Sequence, residues 1–121
     1  MVFYHSTMHE LAITQSLLRI ALDTAEKNGV MRILIIRLKI GELTGYVPAA
    51  VEQNFAMLSP GTKAEGAALV IERIPLQCSC KHCGNAYRAR SDDFTCPACG
   101  AADAAITGGR EMFIESMEVE T

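Results

Sequence analysis

Four of the five cysteines in the chain stand as two Cys-x-x-C pairs, Cys80/Cys83 and Cys96/Cys99, with residues 84–95 between them. Each pair is followed by a glycine, Gly84 and Gly100. A Cys-x-x-C turn aims two thiolates at one point, and the glycine lets the chain pass tightly beyond the sulfurs. Two such turns on facing hairpins supply the four sulfurs of a tetrahedral zinc site. Four protein ligands close the coordination sphere, so a zinc ion held this way shapes the chain and hydrolyses nothing. A disulfide framework fits poorly, because the cysteine number is odd and no secretory signal opens the chain. A thioredoxin-like redox pair would need a surrounding βαβ pattern, which is missing. Cys78 is the spare. It stands either as a rival ligand to Cys80 or as a free thiol, and Cys80 is preferred because Cys78 lacks the matching turn to Cys83.

A second chemical feature is Met8-His9-Glu10. On residue types alone its plain reading is a helix start. Thr7 caps the helix, Glu10 returns the hydrogen bond and sits beside the positive end of the helix dipole, and His9 is solvated. His82, inside the first cysteine pair, is a surface residue when four cysteines are available. Glu42, in a turn, reads first as a solvated carboxylate.

These features need elements to position them. His9 to Asn28 reads as an amphipathic helix. Leu11, Leu18, Leu22 and Ala25 follow one face, with Thr14 as its weak point, and Ile13, Leu17, Ile20 and Ala21 widen the stripe. Gly29 suits a left-handed C-terminal cap. Met31 to Ile40 is a strand with Leu34, Ile36, Leu38 and Ile40 on one face and Ile33 and Ile35 on the other. Pro48 opens a second helix, Pro48 to Leu58, with Val51, Phe55 and Leu58 inward. Leu69 to Leu76 is a second strand leading into the cysteine module. Arg110 to Val119 is a third, with Phe113, Met117 and Val119 on one face and Met112 and Ile114 on the other. The fold class is therefore α+β. A small three-stranded sheet with two helices runs in the order α-β-α-β-[zinc]-β, with a zinc-ribbon module inserted between two strands. The expected organisation is an extension at 1–7, an α/β domain at 8–77 and 107–121, and a zinc-binding domain at 78–106.

At 121 residues the chain is long enough for one core plus a small metal module. Half of it is hydrophobic and about a fifth charged, a globular balance. A net charge of −3 gives no general attraction to nucleic acid or anionic membrane. No apolar run is long enough to span a bilayer, and MVFYHST lacks the features of a signal peptide. Reduced cysteines without an export signal suit the cytoplasm.

Met8-His9-Glu10-Leu11-Ala12-Ile13, Ile40-Gly41-Glu42-Leu43, the two cysteine pairs, Gly109-Arg110-Glu111 and Ser116-Met117-Glu118-Val119-Glu120 follow one another in an order that resembles the HypA/HybF family. Those are nickel-incorporation proteins for hydrogenase maturation, and the likeness runs from Met8 to Glu120. It implies a nickel domain and a structural Zn²⁺ domain, with Ni²⁺ as transient cargo. It implies delivery to the large subunit of a [NiFe]-hydrogenase alongside the GTPase HypB, and in some organisms help to urease maturation proteins. It implies a binding and delivery protein rather than an enzyme, a monomer or homodimer, with no nucleic-acid or membrane partner. Carried over by position, His9 supplies an imidazole, Met8 an amine and Glu10 a backbone nitrogen or carboxylate. Planar nitrogen sets of this kind suit Ni(II) and also Cu(II).

The chain departs from that pattern in one place. Seven residues precede Met8, which turns an amine into a far less acidic amide. Either Met8 is the working start, the preferred reading, or the extension belongs to the protein and His5 joins His9 in a different site. The rival function is a zinc-ribbon protein acting on nucleic acid or in transcription. Lys81, Arg88 and Arg90 lie close to Asp92 and Asp93, and four thiolates on Zn²⁺ add negative charge, which is poor electrostatics for phosphate.

Overall fold

The computed structural model describes the chain from residue 2 to residue 121, with side chains from His9 onward. The elements run α1 (Val2–Lys27), β1 (Arg32–Gly41), a short 3₁₀ turn (Glu42–Thr44), α2 (Pro48–Leu58), β2 (Ala68–Ile74), β3 (Gln77–Cys80), β4 (Ala86–Arg88), β5 (Ala104–Gly108) and β6 (Met112–Glu120). Two compact units result, one of residues 1–39, 46–72 and 113–121, the other of residues 40–45 and 73–112.

The first unit holds a three-stranded sheet in the order β2-β1-β6. β1 is central, as its run of Ile and Leu demands. Leu17 and Leu18 of α1, Val51 and Phe55 of α2, Ile36 and Leu38 of β1 and Leu69 of β2 converge on one interior. The expected order of helices and strands therefore holds, and both helices contribute to that core. α2 occupies Pro48–Leu58 with Pro at its first turn, where a missing N–H costs nothing. Gly29, after α1, has the left-handed φ of +64° that its cap position requires.

Several residues sit differently from the sequence expectation. Ile20, expected to widen the apolar stripe of α1, is 56% exposed, while Thr14 is buried and donates to the Glu10 carbonyl at 2.6 Å. In β1, Ile33 is fully buried and Leu34 only partly, and the Ile33 N–H bonds the Lys63 carbonyl at 2.8 Å, so the segment after α2 runs alongside it. In β6 the inward residues are Met112 and Ile114, then Met117 and Val119, so the alternation slips at Glu115–Ser116. Phe113 is exposed, not grouped with Met117 and Val119. The slip places two carboxylates over cations of β1. Glu115 and Glu118, three residues apart, both reach cations of β1: Lys39 at 2.9 Å and Arg37 at 2.5 Å. Strict alternation would have put them on opposite faces. α1 also begins at Val2, so Thr7 is a helical position and not the cap, and residues 2–7 continue the helix.

The second unit is built on β3, which pairs antiparallel with β4 on one side and β5 on the other. Leu76, Cys78, Cys80, Tyr87, Ala89 and Cys96 form its buried core. This core is small, so the unit depends on whatever its cysteines hold together.

Candidate metal centres

The two cysteine turns are built alike. Gly84 N–H donates to the Cys80 carbonyl and Gly100 N–H to the Cys96 carbonyl, each at 2.9 Å. Cys80 N–H reaches the Asn85 carbonyl at 2.9 Å, and Cys96 N–H reaches the Ala101 carbonyl at 2.7 Å. Both glycines have positive φ, +76° and +79°, which a side chain would strain. β3 and β4 carry the first turn on a hairpin, while Lys81 N–H bonds the Asp103 carbonyl just before β5.

These turns bring the sulfurs of Cys80, Cys83, Cys96 and Cys99 within 4.8 Å of one another. Cys80 and Cys99 are 3.5 Å apart, Cys83 and Cys96 3.6 Å. A tetrahedron with zinc–sulfur bonds of ~2.3 Å has edges of about 3.8 Å, so the donor set fits zinc. Cys80 and Cys96 are buried and Cys83 and Cys99 exposed, so one side of the cluster faces the unit's core and the other faces outward. Cys78 stands apart in that core, paired across the strands with Tyr87 and Ile106. His82 is exposed, with its imidazole 4.0 Å from Asp103.

The four thiols differ in acidity. Burial opposes ionisation of Cys96, but the N–H groups of Cys99 and Ala98, with Cys83 and Asn85, bring it down to about 6. The Ala101 N–H favours the Cys99 thiolate, yet the neighbouring Cys80, burial and the other sulfurs push it up to about 12. Cys80 is lowered, by the Cys83 N–H first. Cys83 is raised: the Asn85 N–H favours its thiolate, but burial and the adjacent thiols outweigh it. Four thiolates this close need a cation among them, which a dication supplies.

The second feature lies in the other unit. His9 is exposed on α1 and shares a shallow groove with Ala12, Ile13, Ser16 and Tyr46. Met8, the expected amine donor, and His5 lie outside the residues whose side chains are described. Glu10 does not close a capping box with Thr7, because α1 already runs through Thr7. It is 1% exposed, and its Oε2 accepts the Val47 N–H at 2.6 Å. Glu42 accepts from Arg88 at 3.0 Å in the second unit, so that turn carboxylate is engaged by a cation of its own unit. Tyr46 and Val47 were not legible as parts of this site. One signal was present: Ala50, at the third helical position, cannot accept the Val47 N–H as a Glu or Gln would in a capping box.

A family model described as hydrogenase/urease nickel incorporation, metallochaperone, hypA matches residues 8–119. The chain is 42% identical over 113 residues to the hydrogenase maturation factor HypA of Geobacter sulfurreducens, covering 93% of this chain and all of that one. It is 40% identical over 114 residues to the HypA of Caldanaerobacter subterraneus, again across 93% of this chain and all of the relative. Its fold matches the solution structure of the Ni metallochaperone HypA from Helicobacter pylori with a TM-score of 0.65 at 24% identity, covering 92% and 97% of the two chains.

Proposed function

The chain belongs to the HypA family of nickel-incorporation metallochaperones for hydrogenase maturation, and we propose that it carries Ni(II) as cargo on the first turns of α1, with His9 as the side-chain ligand. One observation supports this above the others. His9 is the exposed imidazole at the head of the family match, on a groove in a unit separate from the cysteine cluster. The two ions are thereby divided in role. Sulfur holds zinc permanently, and borderline nitrogen donors hold a metal that must leave again.

The remaining donors are backbone nitrogens at Met8–Glu10. α1 runs through these residues, so its ladder of hydrogen bonds competes for them. A helix leaves only its first four N–H groups free. A chain starting at Met8 would free these nitrogens and add a terminal amine. With residues 1–7 attached, the first turn must open to offer them.

Family membership supports a delivery role. The receiving protein is the large subunit of a [NiFe]-hydrogenase, with a HypB-type GTPase supplying nucleotide hydrolysis and urease maturation proteins as further recipients. The chain catalyses no reaction of its own and works in the cytoplasm as a monomer or homodimer. No helix among the described residues is long and apolar enough to cross a membrane.

Equilibrium titration with Ni(II) tests the reading. Wild type should take up about one nickel per chain, and His9→Ala should bind at least ~10-fold more weakly while zinc stays, since loss even of a ligand's hydrogen-bond partner commonly costs 10–100-fold. Equal uptake by the two proteins contradicts it.

A further inference from the structure

We propose that the Glu10 side chain is a positioning group of the nickel site, latching the Tyr46–Val47 segment onto α1 beside His9, and that its carboxylate is not a nickel ligand. The proposal rests on the reading of His9 as the nickel-bearing side chain.

The first argument is directional. Successive residues of an α-helix point about 100° apart, so neighbours do not face a common point. His9 faces outward into the groove with Tyr46, while Glu10 is 1% exposed. With the turn helical as it stands, a metal reached by the imidazole is not reached by the carboxylate. To become a ligand, Glu10 would have to leave its buried seat and give up the Val47 N–H.

The second argument is what Glu10 does in that seat. Val47 occupies the N-cap position of α2, with extended backbone (φ −91°, ψ 114°) and no side-chain acceptor. Pro48 follows and has no N–H. The acceptor for the N-cap N–H, which a Glu or Gln at position 50 would supply in a capping box, comes from α1 instead, as Glu10 Oε2 at 2.6 Å from Val47 N. A carboxylate is also the charge that a helix N-terminus favours. The turn that carries Glu10 is fixed in the same place, because buried Thr14 Oγ1 donates to the Glu10 carbonyl at 2.6 Å.

The third argument is the other oxygen. Glu10 Oε1 is buried and has no hydrogen-bond partner among the described residues. Burying an acceptor without a donor is unfavourable, and such groups are rare. The side chain is kept inside despite this, which points to the position of Oε2 as what matters. The consequence is local. With Val47 held, its neighbour Tyr46 forms one wall of the groove whose other members are His9, Ala12, Ile13 and Ser16.

Glu10→Gln and Glu10→Ala separate a latch from a ligand. Glutamine keeps an oxygen for Val47 but loses the anionic donor; alanine loses both. Three readouts apply to each: Ni(II) affinity by competition with a chromophoric chelator, the Ni(II) absorption spectrum, and hydrogen exchange at the Val47 amide. We expect E10Q to stay within ~3-fold of wild type with an unchanged spectrum and a slow Val47 amide, and E10A to bind ~10-fold or more weakly with a fast one. An E10Q protein that loses nickel as E10A does, with an altered spectrum, would make the carboxylate a ligand and overturn the proposal. So would an E10A protein with unchanged affinity and a slow Val47 amide. Nickel uptake indifferent to His9→Ala overturns the carrier reading instead. In that case a Val47 amide fast in E10A and slow in E10Q would still uphold the latch.

Discussion

The sulfurs of Cys80 and Cys99, nineteen positions apart in sequence, lie 3.5 Å from each other. One belongs to each cysteine turn, so a single ion ties β3 to the turn after residue 95. That closure has to substitute for apolar burial in a unit whose core is six residues.

Cys96→Ser should therefore unfold the second unit selectively. Structural zinc of this type supplies ~10–16 kcal/mol, far more than so small a core provides. Amides of 77–108 should lose hydrogen-exchange protection, while α1, α2 and β1 keep theirs. Full protection across 77–108 in the variant would contradict this account.

Gly41 is required for space, not for conformation. Its φ of −71° is open to any residue, yet a Cβ there would lie 2.1 Å from the Gly109 carbonyl oxygen and 2.8 Å from the Arg110 nitrogen. These are backbone atoms that Gly41 N→Glu111 O and Leu43 N→Gly109 O hold in place. Gly41→Ala should cost ~3 kcal/mol or more in urea unfolding, the upper end of what overpacking costs. Gly66, with open space around it and φ of +77°, should cost only ~1–2 kcal/mol on the same change. Equal costs would remove the steric argument.

Glu111 carries a pH signature. Its own N–H and that of Gly109, which donates at 2.6 Å, hold its carboxyl below the usual 4.5. A folded pKa below the unfolded one stabilises above pH 4.5, and that contribution disappears as pH falls through the lowered folded value. Wild type should therefore be more stable than Glu111→Gln at neutral pH, with the gap closing in acid. A gap independent of pH would contradict the assignment.

Much of this was legible because it rests on local chemistry. The cysteine turns, Pro48 at the head of α2 and Gly29 behind α1 each follow from one residue's geometry. Misplacements came where a partner distant in sequence decides. Ile33 is buried where the segment around Lys63 runs alongside it, and Glu115 and Glu118 both meet cations of β1, Lys39 and Arg37. Glu10 fitted a capping box with Thr7; its acceptor role instead needs Val47, and nothing between residues 10 and 47 announces that pairing. β5 was missed as well, since Ala104-Ala105-Ile106-Thr107-Gly108 has one large apolar residue and no clear alternation.

Removing residues 1–7 bears on the donor set. A chain beginning at Met8 gains a terminal amine and frees the first helical N–H groups. Nickel affinity should rise by ~10-fold or more, as an amine replaces an amide that must lose a much less acidic proton. Unchanged affinity in chelator competition would mean that the backbone nitrogens of Met8–Glu10 are not donors.

X-ray absorption at the nickel and zinc edges of one doubly loaded sample tests the division between the two ions most directly. We predict zinc surrounded by four sulfurs at ~2.3 Å and nickel by nitrogen and oxygen donors that include one imidazole, the imidazole signal vanishing in His9→Ala. Sulfur in the nickel shell, or an imidazole signal that survives His9→Ala, would contradict it.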